Sequence, residues 1–291
     1  MRALVFGETG QVARELARSA AERGIEASFL GRGMADLADP EACARAVRAA
    51  DAEIVVNAAA HTQVDRAEDE PALAETVNAA APGAMAAAAA ARGLPFLHIS
   101  TDYVTSGAAG RPWREDDPTG PLGVYGASKL AGERLVAAAN PDHAILRTAW
   151  VFSAHGRNFV RTMLTVGRDK QEMRVVGDQR GGPTPARDIA ATLWTIAEAW
   201  TAGQGTPGVF HYAGAPAVSW AEFAEAIFAR SGWDARPAVL DIPSSEWPMR
   251  AARPLNSVLD CSRIAAAYGI AQPDWRPGLD AVIAEIQGAT G

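Results

Sequence analysis

Tyr125 and Lys129 stand four residues apart in the stretch VYGASKLAGE, and Lys129 is one of only two lysines, with Lys170, among 27 basic side chains. Arginine serves everywhere else, so position 129 asks for a property that a guanidinium lacks. An i, i+4 spacing puts both side chains on one face of a helix, where the ammonium can act on the phenol. A free tyrosine ionises near ~10 and is a poor acid–base group at neutral pH. A neighbouring cation stabilises the phenolate and is expected to lower that value, bringing the phenol into range for proton transfer. The compact, rotatable ammonium also reaches ribose hydroxyls, a geometry the flat guanidinium fork does not offer. A surface helix with an exposed lysine shows the same spacing, so the pair gains meaning only beside other elements.

A second element follows the first apolar run, where VFGETGQVARELA sets Gly7, Gly10 and Ala13 at G-x-x-G-x-x-A spacing. Glycine permits a positive φ and lets backbone amides approach a pyrophosphate, while the N-terminus of the helix that follows favours the anion. Such glycines alone often just make a turn. Directly after a first strand, at the head of a βαβ series, they indicate a dinucleotide. The second predicted strand ends in FLGRGMADLAD, with no acidic residue where a carboxylate would hold the adenosine ribose. Arg32 stands there. It either meets a 2′-phosphate, which favours NADPH with NADH as the other donor, or is a solvated surface charge.

A third element is FLHISTDYV, a predicted strand ending in Ser100 and Thr101. Side chains alternate across a strand, so one hydroxyl faces the site, where it can hydrogen-bond a substrate carbonyl. Joined to the other two, it describes a carbonyl reductase in which hydride comes from nicotinamide and Tyr125 supplies the proton. Further candidates are less specific. Trp150, beyond AILRT, offers a flat apolar face to a ligand or packs in the core or at a lobe interface. Arg253 and Asn256 in RPLNS suit a nucleotide diphosphate and base, with a structural salt bridge as the alternative. Gln179 lies in the turn-rich DQRGGPT, expected to face the ligand from the lobe junction.

These groups must be held by a scaffold, and the pattern supplies one. The apolar runs RALVF, IEASFL, EIVVNAA, PFLHIS and AILRT alternate with helix-length stretches at 11–23, 40–50, 72–92 and after Val124. That alternation predicts an α/β fold, a doubly wound parallel sheet of Rossmann type with helices on both faces. The dinucleotide-binding domain is expected over 1–148, rejoined by about 171–213. Residues 149–170 and 214–291 are expected to form a smaller C-terminal substrate-binding lobe over the carboxyl ends of the strands. Within 291 residues, 48% hydrophobic side chains can build a substantial core, and a net charge of −7 leaves no basic footprint for nucleic acid or an anionic membrane. The opening MRALVFGETG turns polar too soon for a signal-peptide core, and the Ala-rich 79–91 run is broken by Pro82 and Gly83, so a cytoplasmic protein is expected. Cys43 and Cys261 have no metal-ligand spacing and are expected to be buried spectator thiols.

The blocks GETGQVA, VNAAAHTQVDRAE, STDYV, VYGASKLAGE, RTAWVF, NFVRTML, GDQRGGPTPA and RPLNSVLD, in this order over nearly the whole chain, resemble extended short-chain dehydrogenases, and among them the dTDP-4-dehydrorhamnose reductase family. The resemblance implies Thr101, Tyr125 and Lys129 as catalytic residues. It implies reduction of the C4 ketone of dTDP-4-dehydro-β-L-rhamnose to dTDP-L-rhamnose with NADPH or NADH. Cofactor contacts would then include Gly7, Gln11, Val12, Arg32, Asp36 and Leu37, then Ala58, Ala59 and Ala60, with Tyr125 and Lys129. Sugar contacts would fall on Thr62, Val64, Thr101, Tyr103 and Trp150. The chain departs from the family pattern at Thr105, Ser106 and Gly123, where an aromatic, an acid and an asparagine are common. Some family members dimerise around Mg²⁺ held by glutamates. Glu15 and Glu285 match that set, but Arg187 takes the third place, so no tight metal site is expected and the protein is expected to be a monomer or homodimer. The rival readings are a reductase or epimerase of another nucleotide-linked 4-keto-6-deoxysugar, and a non-catalytic regulatory subunit resembling the methionine adenosyltransferase β subunit. Retention of Thr101, Tyr125 and Lys129 disfavours the latter.

Overall fold

The computed structural model describes residues 1–289 of the chain. It opens with β1 (Arg2–Phe6), α1 (Gln11–Ala20), β2 (Glu26–Leu30), α2 (Pro40–Ala49) and β3 (Ile54–Asn57). β3 is buried at every position, which is why its sequence reads as an unbroken apolar run ending in one amide. Asp39 caps α2 by accepting from the Ala42 amide, and Pro40 occupies the first turn, where its missing N–H costs nothing.

The helical stretch expected over 72–92 is interrupted. After α3 (Val64–Ala67), it runs as α4 (Pro71–Glu75), a π-helical turn at Thr76–Ala80, and α5 (Ala81–Ala90). In an α register Pro82 would have no amide to give the Asn78 carbonyl, and the chain answers by widening the turn. The turn presents the buried Asn78, whose amide nitrogen donates to the His61 carbonyl at 3.1 Å and to Ser128 Oγ at 3.0 Å while its oxygen accepts from the His61 amide at 2.8 Å. The loop after β3 is thereby tied to the next long helix.

β4 (Phe96–Thr101), α6 (Val124–Ala139) and β5 (His143–Thr148) follow. The chain then leaves the sheet through β6 (Val151–Phe152), α7 (Phe159–Val166), β7 (Glu172–Val176), β8 (Arg180–Gly181) and β9 (Thr184–Pro185). It returns as α8 (Ala186–Thr201) and β10 (Gly208–His211). β11 (Val218–Ser219), α9 (Trp220–Ala229), β12 (Ala238–Ile242), β13 (Asn256–Ser257), α10 (Ser262–Tyr268) and α11 (Trp275–Gly288) complete it.

The central sheet has the order β10–β5–β4–β3–β1–β2, and every neighbouring pair is parallel. One face buries Leu16, Ile189, Leu193 and Trp194 under α1 and α8, and the other buries Val47, Met85 and Val136 under α2, α5 and α6. The smaller lobe has its own core of Phe152, Phe223, Phe228, Trp275 and Ile283. Its boundary differs from expectation. β7 pairs in parallel with β12, from Glu172 beside Ala238 to Val176 beside Ile242, so the return to the main sheet starts at α8 and not near 171. Conversely, Cys261 and Ile264 of the tail pack into the core under α1 and α8. A short amphipathic strand does not declare which sheet it joins; its partner residues, 66 positions on, decide.

α6 lies close to its neighbours because glycines face them. A Cβ at Gly132 would sit 2.0 Å from the Asn78 carbonyl oxygen, and one at Gly126 would sit 2.2 Å from the Tyr103 oxygen. Gly132→Ala is therefore expected to cost about 1–3 kcal/mol of unfolding free energy, seen as a lower urea midpoint with an unchanged slope. Gly33→Ala, where an added Cβ meets nothing within 4 Å, is the matched control and should leave the midpoint in place.

Candidate active site

The strand order reverses between β1 and β3, and the loops leaving their carboxyl ends part to form a cleft of about 1000 Å³. Gly7, Gly10, Gln11 and Val12 line one side of it, Arg32, Asp36 and Leu37 another, and Ala58, Ala59 and Ala60 the floor between. Gly7 has φ +117, and a Cβ there would press on Ala13 Cβ and the Ala58 carbonyl at 3.3 Å, so glycine is required on two counts. Gly10 is the N-cap of α1 and brings no side-chain cap, which leaves the first-turn amides open on the cleft. The Arg32 side chain is 89% exposed, and among the described residues its one ion-pair partner is Asp36 at 4.0 Å, which leaves room for an anion. A glycine cradle, an uncapped helix start and an exposed cation at the end of β2 fit a dinucleotide. Gln11 also spans the lobes, its Oε1 accepting from Ser153 Oγ at 2.9 Å and Asn158 Nδ2 at 3.0 Å.

Thr101, Tyr103, Tyr125, Lys129, Thr62, Val64 and Trp150 line the same cleft. The two hydroxyls at the end of β4, both in the cleft lining, differ in their partners. Ser100 Oγ donates to Glu133 Oε1 at 2.5 Å on the buried side, whereas Thr101 bonds the Tyr125 phenol. Thr101 Oγ1 also donates to Asp102 Oδ1 at 3.0 Å and accepts from the Tyr103 amide at 3.2 Å. Tyr125 meets the Tyr103 ring edge-on, with centroids 5.6 Å apart.

The electrostatics correct one expectation. The Tyr125 phenol is not acidified. Burial pushes it up to about 12, the Asp102 charge adds to the rise, and the bond with Thr101 opposes it. Lys129, only 2% exposed, turns its Nζ away to donate to the Ile99 carbonyl at 2.7 Å, with His98 Nε2 at 3.2 Å. Burial lowers the lysine itself to about 8, against the pull of Glu133. The phenol is thus protonated at neutral pH, which is the form a proton donor needs. Cys43 and Cys261 are buried and unpaired, and burial pushes their thiols up to about 11 and about 12, so neither is a nucleophile.

Three predicted ligand contacts sit differently from expectation. Asn256 donates to the Ala109 and Arg111 carbonyls at 2.6 and 2.9 Å and accepts from the Val258 amide at 3.0 Å, so its amide pins a loop and both of its donors are committed. Gln179, between β7 and β8, is outside the cleft lining, because β7 follows β12 and not the central sheet. Arg253 donates to Asp65 Oδ2 at 2.7 Å and stands 5.8 Å over the Tyr103 ring, with its Nη1 buried and unpartnered among the described residues. Trp150 packs at the lobe interface and also borders the cleft. Its ring stacks on Trp220 at 3.4 Å, held by a φ of +48, the only positive value at a non-glycine among the described residues. The family departures are accommodated locally. Thr105 Oγ1 donates to the Asp102 carbonyl at 3.0 Å, and at Gly123 an added Cβ would lie 2.6 Å from Glu68 Oε1, which accepts from the Val124 amide at the start of α6. Glu15 and Glu285 line one small pocket with Arg187, and Arg18 pairs with both carboxylates, at 2.6 and 3.2 Å. A guanidinium occupies the place between those carboxylates.

The sequence reading passed over His98, Asn57 and Asp102. A polar residue in an apolar strand run was the available signal for the first two, and an acid at a strand end for the third. Asp102 is 2% exposed, with Oδ2 unpartnered among the described residues. Burial pushes its carboxyl from 3.8 up to about 6, against hydrogen bonds from Ser257 and Thr101. The folded protein therefore binds more protons than the unfolded chain across that window, and stability falls as pH rises through it. Between pH 3.8 and about 6 the wild type is expected to lose about 2 kcal/mol more than Asp102→Asn, read from urea midpoints at each pH. Parallel curves for the two proteins would remove this account of Asp102.

Comparison with known proteins agrees with this geometry. The family model described as RmlD substrate binding domain matches residues 1–287. The chain is 46% identical over 288 residues to a dTDP-4-dehydrorhamnose reductase of Burkholderia thailandensis, covering 95% of this chain and 96% of that protein. Among solved structures it matches a dTDP-4-dehydrorhamnose reductase of Clostridium acetobutylicum with a TM-score of 0.92 and 34% identity, over 99% of this chain and 100% of that one. It matches one from Bacillus anthracis in complex with NADP with a TM-score of 0.90 and 30% identity, over 98% and 99% of the two chains. The chain belongs to the RmlD substrate binding domain family, that of the dTDP-4-dehydrorhamnose reductases, within the extended short-chain dehydrogenases.

Proposed function

We propose that this protein reduces the C4 ketone of dTDP-4-dehydro-β-L-rhamnose to dTDP-L-rhamnose with NADPH, NADH being the second donor. The observation that carries the reading is the convergence of Thr101, Tyr125 and Lys129 on one cleft at the end of β4. The bound dinucleotide supplies the hydride. Gly7, Gly10 and the open amides of α1 hold its pyrophosphate, Gln11 and Val12 flank it, and Ala58, Ala59 and Ala60 leave room for the backbone to approach. Arg32, with Asp36 and Leu37 beside it, takes the adenosine ribose end, and its exposed guanidinium supports a 2′-phosphate.

Tyr125 delivers its proton to the carbonyl oxygen as the oxygen gains charge. A phenol held near 12 is still far more acidic than an alkoxide's conjugate acid, so the transfer runs downhill. Thr101 has one hydroxyl proton. It donates that proton to the substrate oxygen when present and to Asp102 otherwise. Lys129, anchored on Ile99, would hold the cofactor ribose through a hydrogen not used on that carbonyl. Thr62, Val64, Tyr103 and Trp150 frame the sugar, with Arg253 behind Tyr103. We read the cytoplasm as the compartment, since the substrate and cofactor are soluble nucleotides; no helix among the described residues is long and apolar enough to cross a membrane. Gly123, with Glu68 filling the space beside it, favours one second reading, a reductase of a related nucleotide-linked 4-keto-6-deoxysugar.

With purified protein, NADPH and the keto-sugar made in situ, loss of the reduced nicotinamide absorbance is expected. Tyr125→Phe should lower kcat by roughly 10²–10⁴-fold while leaving NADPH affinity near that of the wild type. A fully active variant would remove Tyr125 as the proton donor.

A further inference from the structure

Behind the cleft a line of buried polar side chains runs from Lys129 to the loop after β3. Lys129 Nζ lies 3.2 Å from His98 Nε2, and His98 Nδ1 lies 3.1 Å from Asn57 Nδ2. Asn57 and His98 are fully buried. The far end sets the direction of every bond. The Ala59 amide donates to Asn57 Oδ1 at 3.1 Å, and because a backbone N–H can only donate, the oxygen must stand there and the NH₂ must face His98. His98 Nδ1 therefore accepts. Full burial keeps the imidazole from charging, and a neutral ring that accepts at Nδ1 carries its proton on Nε2. That N–H points at Lys129 Nζ. An ammonium has no lone pair to receive it, whereas an amine has one and can still donate to Ile99.

We propose that His98, fixed as its Nε2–H tautomer by Asn57 and the Ala59 amide, donates to Lys129 and holds it as the neutral amine in the protein without its dinucleotide. The geometry stands on its own; only the consequence rests on the reading of Lys129 as the lysine of the reductase. His98 is then a positioning residue, and charging Lys129 requires two coupled changes. The imidazole proton must move from Nε2 to Nδ1, and Asn57 must turn round, giving up its bond from Ala59. Ala59 lines the cleft, so the charge on the lysine is linked to the state of the cofactor loop. The other groups facing Lys129 do not set this direction. Tyr125 and Glu133 stand on its own helix, and Glu133 is already held by Arg147 of β5 at 2.7 and 2.9 Å. On β4, Asp102 lies past Thr101, which it engages.

The scarcity of lysine makes the test direct. Lysine labelled with ¹³C at Cε gives two signals, and exposed Lys170 is the internal reference. In the cofactor-free protein Lys129 is expected to titrate below about 7, lower than burial alone would set it, and to move up by about one unit or more in His98→Gln, whose side-chain oxygen accepts from an ammonium. Lys170 should stay fixed in both. Nitrogen-15 spectra of the histidines in the unaltered protein report the tautomer without any substitution, and Nε2–H is expected for His98. An Nδ1–H tautomer, a Lys129 signal titrating with Lys170, or no shift in His98→Gln would each overturn the proposal. No substrate enters these measurements, so their failure is distinct from failure of the keto-sugar assay.

Discussion

One hydrogen bond, from Lys129 Nζ to the Ile99 carbonyl at 2.7 Å, fastens α6 to the end of β4 beneath the cleft. Burying a lysine opposes folding unless it finds hydrogen-bond partners, and here its carbonyl acceptor belongs to the strand that also carries Thr101. The same bond fixes Tyr125, one turn earlier on α6, against the strand end. It works only because Gly126 and Gly132 let the helix come that close. Deeper still, Arg147 and Glu133 form a two-pronged ion pair with Ser100 donating to the same carboxylate. A buried charge pair so fully bonded holds geometry more than it adds stability.

Around this anchor the sheet and the smaller lobe each contribute one wall. The reversal of strand order sets Gly7 and Ala58 side by side at the ends of β1 and β3, leaving a dinucleotide-sized opening between them. From the other side, Trp150 stacks on Trp220, which meets Phe159 at 4.6 Å, so an aromatic pile from the lobe core reaches the cleft. A strap closes the rim, where the Ala251 amide and Arg253 both bond Asp65 of α3. These contacts place apolar surface beside the reacting groups, and the low dielectric that results keeps Tyr125 protonated.

Much of this was legible in the sequence, for identifiable reasons. Strands buried on both faces read as apolar runs, and the glycine turn and the Tyr125–Lys129 spacing are set by local backbone geometry. Strand alternation reduced the end of β4 to a choice between Ser100 and Thr101, and the family resemblance named Thr101. What escaped were matters of partner and direction. The i, i+4 spacing told that Lys129 shares a face with Tyr125 but not that its nitrogen bends to Ile99. RPLNS reads the same whether Asn256 meets a base or the Ala109 carbonyl. The β7 run carries no mark of β12, and nothing in HISTDYV announces that Asp102 is sealed from water. Each depends on chain segments far away in sequence.

The central claim is that a ketone placed against Tyr125 receives hydride from the nicotinamide and keeps it. The direct measurement supplies dinucleotide carrying deuterium at the transferable position of the reduced ring and locates the label in the sugar product by mass and proton spectra. The account predicts one deuterium at C4 of the sugar for each dinucleotide oxidised. A product without label, or an inverted sugar formed with no net oxidation of the dinucleotide, would contradict it.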